Sequence, residues 1–125
     1  MNDKAKKILR GKRLVEVIAA AAQEKLAECL TVIDLKAATA TADFFIIAQS
    51  ETTVQNTAIA DAIVDHCAKK NTPPWHIEGE REGRWIVVDF TDVVVHIMLP
   101  DLRAYYSLET LWTGGKRTDL AATGS

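Results

Sequence analysis

The chain has 125 residues, of which 48% are hydrophobic and 26% charged, with a formal net charge of −2. This length allows one domain with one core, and the composition is typical of a globular protein rather than a disordered one. No apolar run approaches the roughly 20 residues that a membrane-spanning helix needs, and no signal-peptide core follows the basic N-terminus. The two cysteines, Cys29 and Cys67, lie in helix-like segments, and we expect both to be buried thiols of a cytoplasmic protein.

The charge is distributed unevenly along the chain. Residues 1–13 carry six Lys or Arg against one Asp, so the other 112 residues carry a net charge of −7. An acidic body is a poor ligand for bare RNA, because Lys and Arg supply most of the affinity for phosphates, and it suits a basic protein partner better. Acidic domains are also common among soluble proteins, so charge alone leaves the partner open. Residues 1–12 are predicted to form a flexible basic arm.

In the first half of the chain, hydrophobic spacing predicts a helix, two strands and a second helix. Apolar residues recur at helical intervals over residues 13–29, and the apolar, β-branched run at 31–36 and the run FFIIAQ at 44–49 are typical of strands. Thr52 stands three residues before Gln55, which is the spacing of a capping box and predicts a helix from there to about residue 70.

The second half is predicted to be rich in strands. Residues 75–80, 84–90 and 93–99 form strand-like runs joined by tight turns, which indicates an antiparallel meander. The last two runs are apolar at almost every position, as in strands covered on both faces. A final helix is predicted over residues 100–112, followed by a disordered tail over 113–125. The order α-β-β-α-β-β-β-α predicts an α/β domain with a single mixed five-stranded sheet flanked by helices.

A search for catalytic motifs finds none. The six glycines form no phosphate-binding loop, and the nucleophile elbow G-x-S-x-G is absent. Ser50 has no His nearby in sequence, although a triad assembled in space stays open. His76, Glu78 and Glu80 alternate along one predicted strand and could hold a divalent ion, but a polar strand edge facing solvent is the simpler interpretation.

The remaining chemically notable residues also favour structural roles. Asp89 and Asp92 flank a turn, where a D-x-x-D spacing directs the two carboxylates apart, so we expect turn stabilisation rather than a metal pair. His96 lies in a predicted covered strand and is expected to be a core or interface histidine. Trp85 and Trp112 lie at the ends of elements, where core packing and partner binding both remain open. We therefore predict no catalytic residue, metal or cofactor.

Four stretches of the chain form an ordered series: DL at 34–35 with TADFFIIA at 41–48, IEG at 77–79, WIVVDFTDVVVHIM at 85–98, and Arg103 with YSLETLW at 106–112. This series resembles the ribosomal silencing factor family, also called Iojap-like, and places the family domain at residues 13–112. The resemblance implies a nucleotidyltransferase-like fold that lacks the catalytic carboxylates, and therefore a protein that is not an enzyme.

The resemblance also implies a partner and a mechanism. Members of this family bind the large ribosomal subunit through a basic ribosomal protein, protein fourteen of that subunit. They block joining of the small subunit sterically and so repress translation under nutrient limitation. The resemblance further implies a homodimer in the free state, a cytoplasmic location and no dedicated RNA-binding motif.

By the same resemblance, the expected docking surface has four apolar anchors, which are Trp85, Phe90, Met98 and Tyr106. Two carboxylates, those of Asp89 and Asp92, are expected to pair with basic residues of the partner, and Arg103 completes the surface. The family often has Gly where Ser50, His76 and Thr91 stand here, so the turns near those positions are expected to differ.

Two rival functions stay open. One is a small metal-dependent nucleotidyltransferase or phosphoryl-transfer enzyme using Glu78, Glu80 and Asp89, and the other is a large-subunit assembly factor.

Overall fold

Three helices and six strands make up the part of the chain that the structure, a computed structural model, describes: residues 8–35, 42–108 and 116–120. In chain order they are α1 (Gly11–Glu24), β1 (Glu28–Asp34), β2 (Phe44–Gln49), α2 (Thr53–Ala68), β3 (His76–Glu78), β4 (Trp85–Asp89), β5 (Val93–Met98), α3 (Pro100–Tyr106) and β6 (Lys116–Leu120).

The strands form one mixed sheet in the order β3-β4-β5-β2-β1-β6. β2 and β5 are parallel neighbours at its centre, and the other four pairings are antiparallel. The meander β3-β4-β5 follows the short connections predicted from the sequence. A single mixed α/β sheet flanked by helices is thus confirmed.

The predicted count of five strands is wrong, because residues 116–120 add a sixth strand to the sheet edge. The prediction of a disordered tail is therefore also wrong for these five residues, while the rest of 113–125 lies outside the described residues. β6 pairs antiparallel with β1, and the Thr31 hydroxyl donates to Asp119 Oδ1 at 2.7 Å. Four of its five residues are exposed, so its sequence lacks the apolar alternation that signals a strand.

Two other boundaries differ from the prediction. α1 begins at Gly11, inside the predicted arm, because the Gly11 N–H donates to Asp92 Oδ2 at 2.9 Å and ties this segment to the body. α1 ends at Glu24 rather than near residue 29, since Leu26 takes a positive φ of 62° that stops the helix. Cys29 consequently lies in β1 and is exposed, so its predicted burial is wrong.

The other local predictions have mixed outcomes. The predicted capping box is confirmed in one half only: the Thr52 hydroxyl accepts the Gln55 N–H at 3.0 Å, whereas the Gln55 side chain donates to the carbonyl oxygen of Lys25 and not back to Thr52. Cys67 is buried as predicted, and burial raises the pKa of its thiol to about 11. The described part of the last helix ends at Tyr106, where Ser107 takes the left-handed conformation, and Trp112 lies outside the described residues.

The two faces of the sheet are covered unequally. α1 and α2 pack on one face over a continuous apolar core that includes Ile46, Ile86 and Val95. The opposite face carries a smaller cluster around Ile47 and Met98, covered by the short helix α3 and Leu108. β5 is buried on both faces as predicted, but β4 alternates buried and half-buried residues. The prediction of double coverage is thus wrong for β4, and part of this face is open.

Two turns beside β4 need unusual backbone conformations. Thr91 has a φ of 82°, so the turn keeps a glycine-like backbone even though Thr stands there. Such a conformation costs a β-branched residue about 1 kcal/mol or more. Gly79 has a φ of 79°, and a Cβ at that position would overlap the carbonyl oxygen of Trp85. The close approach of Gly79 to Trp85 helps to fix where β4 begins.

Replacement of Gly79 by Ala tests this close approach. We expect the free energy of unfolding to fall by about 3 kcal/mol or more, because the variant adds both backbone strain and an overlap with the β4 backbone. The matched control is Gly11→Ala, which also has a positive φ but no atom within 4 Å of the added Cβ. Urea denaturation of both variants measures the difference, and equal losses would contradict the close approach.

Candidate functional site

The half-covered face of the sheet presents a group of partly exposed side chains beside α3. We call this group the open face, and its members are Phe45 of β2, Trp85, Val87 and Asp89 of β4, Val94 of β5 and Tyr106 of α3. Their placement follows from strand alternation, since Ile86 and Val88 point into the helix-covered core. The open face is thus largely apolar and aromatic, with a carboxylate at one end.

Trp85 is held rigidly at the centre of this aromatic group. Its indole N–H donates to His96 Nδ1 at 3.1 Å, and its ring lies 4.9 Å from the Tyr106 ring, measured between centroids. The Phe45 ring lies 5.1 Å from the His96 ring on the other side. Because the polar atom of Trp85 is satisfied internally, its exposed surface is apolar. The ring is also fixed before any partner arrives.

His96 lies buried beneath the open face and acts as a support for it. Burial lowers the pKa of His96 to about 4, and the nearby Asp89 carboxylate opposes that effect. Since Nδ1 accepts the Trp85 N–H, the proton of the neutral ring is assigned to Nε2, for which the described residues provide no hydrogen-bond partner. A histidine that stays neutral at pH 7 suits a core or interface role.

The structure brings three of the seven predicted docking residues to the open face: Trp85, Asp89 and Tyr106. Tyr106 is 46% exposed, and its neighbour Tyr105 is more exposed still. Asp89 Oδ1 accepts the Thr91 N–H at 2.7 Å, as expected of an Asp at a turn. This bond also orients the carboxylate at the edge of the open face.

The other four predicted docking residues are placed differently. Phe90 lies in the helix-side core, and Met98 is fully buried below α3, so neither can act as a surface anchor in this structure. Phe90 follows Asp89 and therefore points to the opposite face of the sheet. Asp92 is partly exposed at the far end of the hairpin, where it binds the Gly11 N–H at the start of α1.

Arg103 is buried and positions α3 instead of facing a partner. Its guanidinium donates to Thr31 Oγ1 at 2.9 Å and to the carbonyl oxygen of Cys29 on β1, and it contacts Gln49 Oε1 at 3.4 Å on β2. These charge-assisted bonds hold the helix that carries Tyr106 against the sheet. Arg103 therefore affects the open face through the placement of α3.

The candidate enzymatic groups do not assemble into a site. His76 Nε2 lies 2.9 Å from Glu78 Oε2 on an exposed edge, while Glu80 lines a groove on the helix side of the sheet. Ser50 is buried, and its hydroxyl donates to Asn56 Oδ1, with the carbonyl oxygen of Thr52 as a second acceptor within reach at 3.0 Å. Within residues 8–35, 42–108 and 116–120, no three His, Cys, Asp or Glu side chains are grouped to hold a metal ion.

Sequence reasoning missed three members of the open face: Phe45, Val87 and Val94. Val87 could have been found from the alternation in WIVVD: Ile86 and Val88 point into the core, so Val87 points to the opposite face with Trp85 and Asp89. Phe45 and Val94 lie in strands that are apolar at nearly every position, so the sequence there does not show which face is open. The open part of this face becomes visible only in the structure, where the seven-residue helix α3 is too short to cover it.

Comparison with known proteins shows the family of this chain. A family model described as "Ribosomal silencing factor during starvation" matches residues 9–124. The chain belongs to this family. The ribosomal silencing factor RsfS of Bacillus subtilis is 37% identical over 109 residues, which covers 87% of this chain and 92% of that protein. The resemblance seen in the four sequence stretches is therefore confirmed.

A more distant relative and a solved structure add to the comparison. The mouse protein named "Mitochondrial assembly of ribosomal large subunit protein 1" is 36% identical over 74 residues, which is 57% of this chain and 32% of that protein. A crystal structure of a Chromobacterium violaceum protein superposes with a TM-score of 0.82 at 26% identity, covering 93% of this chain and 98% of that one. None of the helices in the described ranges is long and apolar enough to cross a bilayer.

The buried His96 predicts a specific acid sensitivity of the fold. Its folded pKa of about 4 lies below the ordinary value of 6.5, so the unfolded chain binds the proton first as pH falls. The associated stability is present above about pH 6.5 and is lost progressively toward pH 4, by on the order of 3 kcal/mol. Urea denaturation between pH 4 and 7 measures this loss.

His96→Gln removes the titrating group, and we expect it to flatten the dependence of stability on pH in that window. The matched control is His76→Gln, which changes an exposed histidine on the sheet edge. An unchanged pH dependence in His96→Gln, or a flattening that is equal in the two variants, would contradict the assignment to His96.

Proposed function

We propose that this chain binds the large ribosomal subunit through its open face and prevents the small subunit from joining, so that translation falls during starvation. The partner is a basic ribosomal protein, and by family resemblance it is protein fourteen of that subunit. The chain acts in the cytoplasm as a binding protein without enzymatic activity, and it forms a homodimer when free. The observation that carries the proposal is the rigid aromatic surface formed by Trp85 and Tyr106 on a half-covered sheet.

The energetics of the open face suit protein docking. Trp and Tyr are enriched among the few residues that supply most of the binding energy at protein interfaces. Trp85 is fixed by His96, and Tyr106 is fixed by the attachment of α3 through Arg103. Binding therefore orders few side chains, which lowers its entropic cost.

The charge of the region suits a basic partner. Asp89 stands at one end of the open face, and Glu78 is exposed on the neighbouring strand β3, at the position that pairs with Val87. Ribosomal proteins contact RNA phosphates through Lys and Arg, so a carboxylate rim attracts them, while it repels bare RNA. The −7 charge of residues 14–125 acts in the same direction.

A steric mechanism needs only the bound mass of the protein. A domain of about this size, 13.8 kDa, placed on the intersubunit surface excludes the small subunit without any chemical step. This mechanism agrees with the position of Glu80, which lines a groove beside α2 and not the rim that carries Glu78 and Asp89. The proposal therefore requires no nucleotide or metal.

A second candidate function is assembly of the large subunit through the same surface. The name of the mouse relative, which refers to assembly of the ribosomal large subunit, favours it. The two functions differ in the particle that is bound, because an assembly factor prefers immature particles and a silencing factor binds mature ones. Co-sedimentation with mature and with precursor particles separates them.

The test of the docking surface is co-sedimentation of variants with purified large subunits. Trp85→Ala and Tyr106→Ala are each expected to weaken binding about 10-fold to 100-fold, which corresponds to about 1–3 kcal/mol. The control is Val54→Ala, which removes apolar surface from a residue of α2 that is 78% exposed, on the opposite side of the sheet. Circular dichroism verifies that each variant is folded. Unweakened binding by both folded variants would remove the open face from the proposal.

A further inference from the structure

One end of the open face continues into a cleft that no predicted site includes. The cleft has a volume of about 410 Å³, and its walls are formed by Ala42, Phe45, Trp75, Asp89, Thr91 and Val94. Three of these residues, Phe45, Asp89 and Val94, also belong to the open face. The cleft is therefore an extension of the same surface and not a separate site.

Trp75 is the unusual member of this cleft, because it is a tryptophan with 76% of its surface exposed. It follows Pro73 and Pro74, whose rings restrict the backbone, and its own N–H donates to the Asp89 carbonyl oxygen at 2.7 Å. The backbone thus holds the indole at the rim of the cleft, where its ring lies 5.7 Å from the His76 ring, measured between centroids, and stays mostly exposed. A large apolar ring presented in this way suits contact with another molecule.

The remaining walls define the chemistry that the cleft can bind. Phe45 and Trp75 supply aromatic rings, and Asp89 supplies a carboxylate whose Oδ1 is already oriented by the Thr91 N–H. Aromatic faces and a carboxylate together attract a cation that has a flat apolar surface. A guanidinium group meets both demands, because it stacks on aromatic rings and pairs with carboxylates through two hydrogen bonds.

We propose that this cleft receives one arginine side chain of the protein that docks on the open face. The inference rests on the proposed function and deepens it by giving one partner residue type and its position. Trp75 lies outside the four stretches that carry the family resemblance, so it is an additional anchor. RNA phosphate is an unfavourable occupant, since Asp89 repels it.

A direct test uses a small arginine probe and does not depend on the ribosome. Nα-acetyl-arginine amide, titrated to millimolar concentration, is expected to shift the indole N–H resonance of Trp75 in a ¹⁵N spectrum, with Trp75→Phe used to assign the peak. Nα-acetyl-glutamate amide is the charge control and is expected to have no effect. Asp89→Asn, which keeps an acceptor for the Thr91 N–H, is expected to abolish the shift.

Three outcomes of this titration would overturn the proposal. The first is no shift with the arginine probe, and the second is an equal shift with the glutamate probe. The third is a Trp75 resonance that moves with protein concentration alone, which identifies a second copy of the chain as the occupant.

Binding to purified large subunits then tests whether the cleft contributes in the complex. Trp75→Ala is expected to weaken binding about 10-fold, whereas Trp75→Phe keeps it within about 3-fold. Trp75→Ala combined with Asp89→Asn is expected to lose less affinity than the product of the single losses, because both residues hold the same side chain. Val54→Ala again serves as the control.

The two proposals fail in different ways. If Trp75→Ala and Asp89→Asn bind normally while Trp85→Ala and Tyr106→Ala do not, the cleft proposal is overturned and the docking function stands. If the wild-type chain does not bind large subunits, the proposed function is overturned, and with it the inference that the cleft receives a partner's arginine.

Discussion

The parallel pairing of β2 with β5 is the constraint on which the rest of this molecule depends. It joins the N-terminal strands to the C-terminal meander and places Phe45 beside Val94 and Ile47 beside His96. Every member of the open face belongs to one of these two strands, to the neighbour β4, or to the helix that follows β5. The helices α1 and α2 complete only one side of the sheet, and α3 has only seven residues, so the other side stays partly open. The proposed docking surface is thus a consequence of incomplete coverage.

The support beneath that surface is polar where a purely apolar core would have sufficed for packing. The Trp85–His96 bond holds Trp85 in place, and the Arg103 bonds to β1 and β2 hold the helix that carries Tyr106. Buried groups of this kind cost desolvation energy and are destabilising if one partner is removed. Their benefit is a defined geometry before binding, which suits a protein whose proposed role is to present a fixed shape to the ribosome.

Much of this fold could be predicted from local patterns. The capping box at Thr52, the apolar strands β2 and β5, and the meander all have strong sequence signals. β6 has none, because its stability comes from pairing with β1 and not from its own apolar residues.

The site was predicted less completely for two physical reasons. Side chains alternate across the sheet, so alternation along β4 could have shown that Phe90 points away from the open face and that Val87 belongs to it. Met98 points to the same face of the sheet as Val94, but α3 covers it there. The position of α3 depends on tertiary packing, which the pattern of the strand does not show. Trp75 stood outside every recognisable motif, and only its exposure in the folded chain identifies it.

The most direct test of the central claim is whether the protein stops separated ribosomal subunits from rejoining. Large subunits would be incubated with the chain at the lowest concentration at which the wild-type protein saturates them, mixed with small subunits, and resolved on a sucrose gradient. The account predicts that the chain sediments with the large subunit and that joined ribosomes decrease, and that the Trp85→Ala variant restores joining. Joined ribosomes that form normally while the chain remains bound to the large subunit would contradict it.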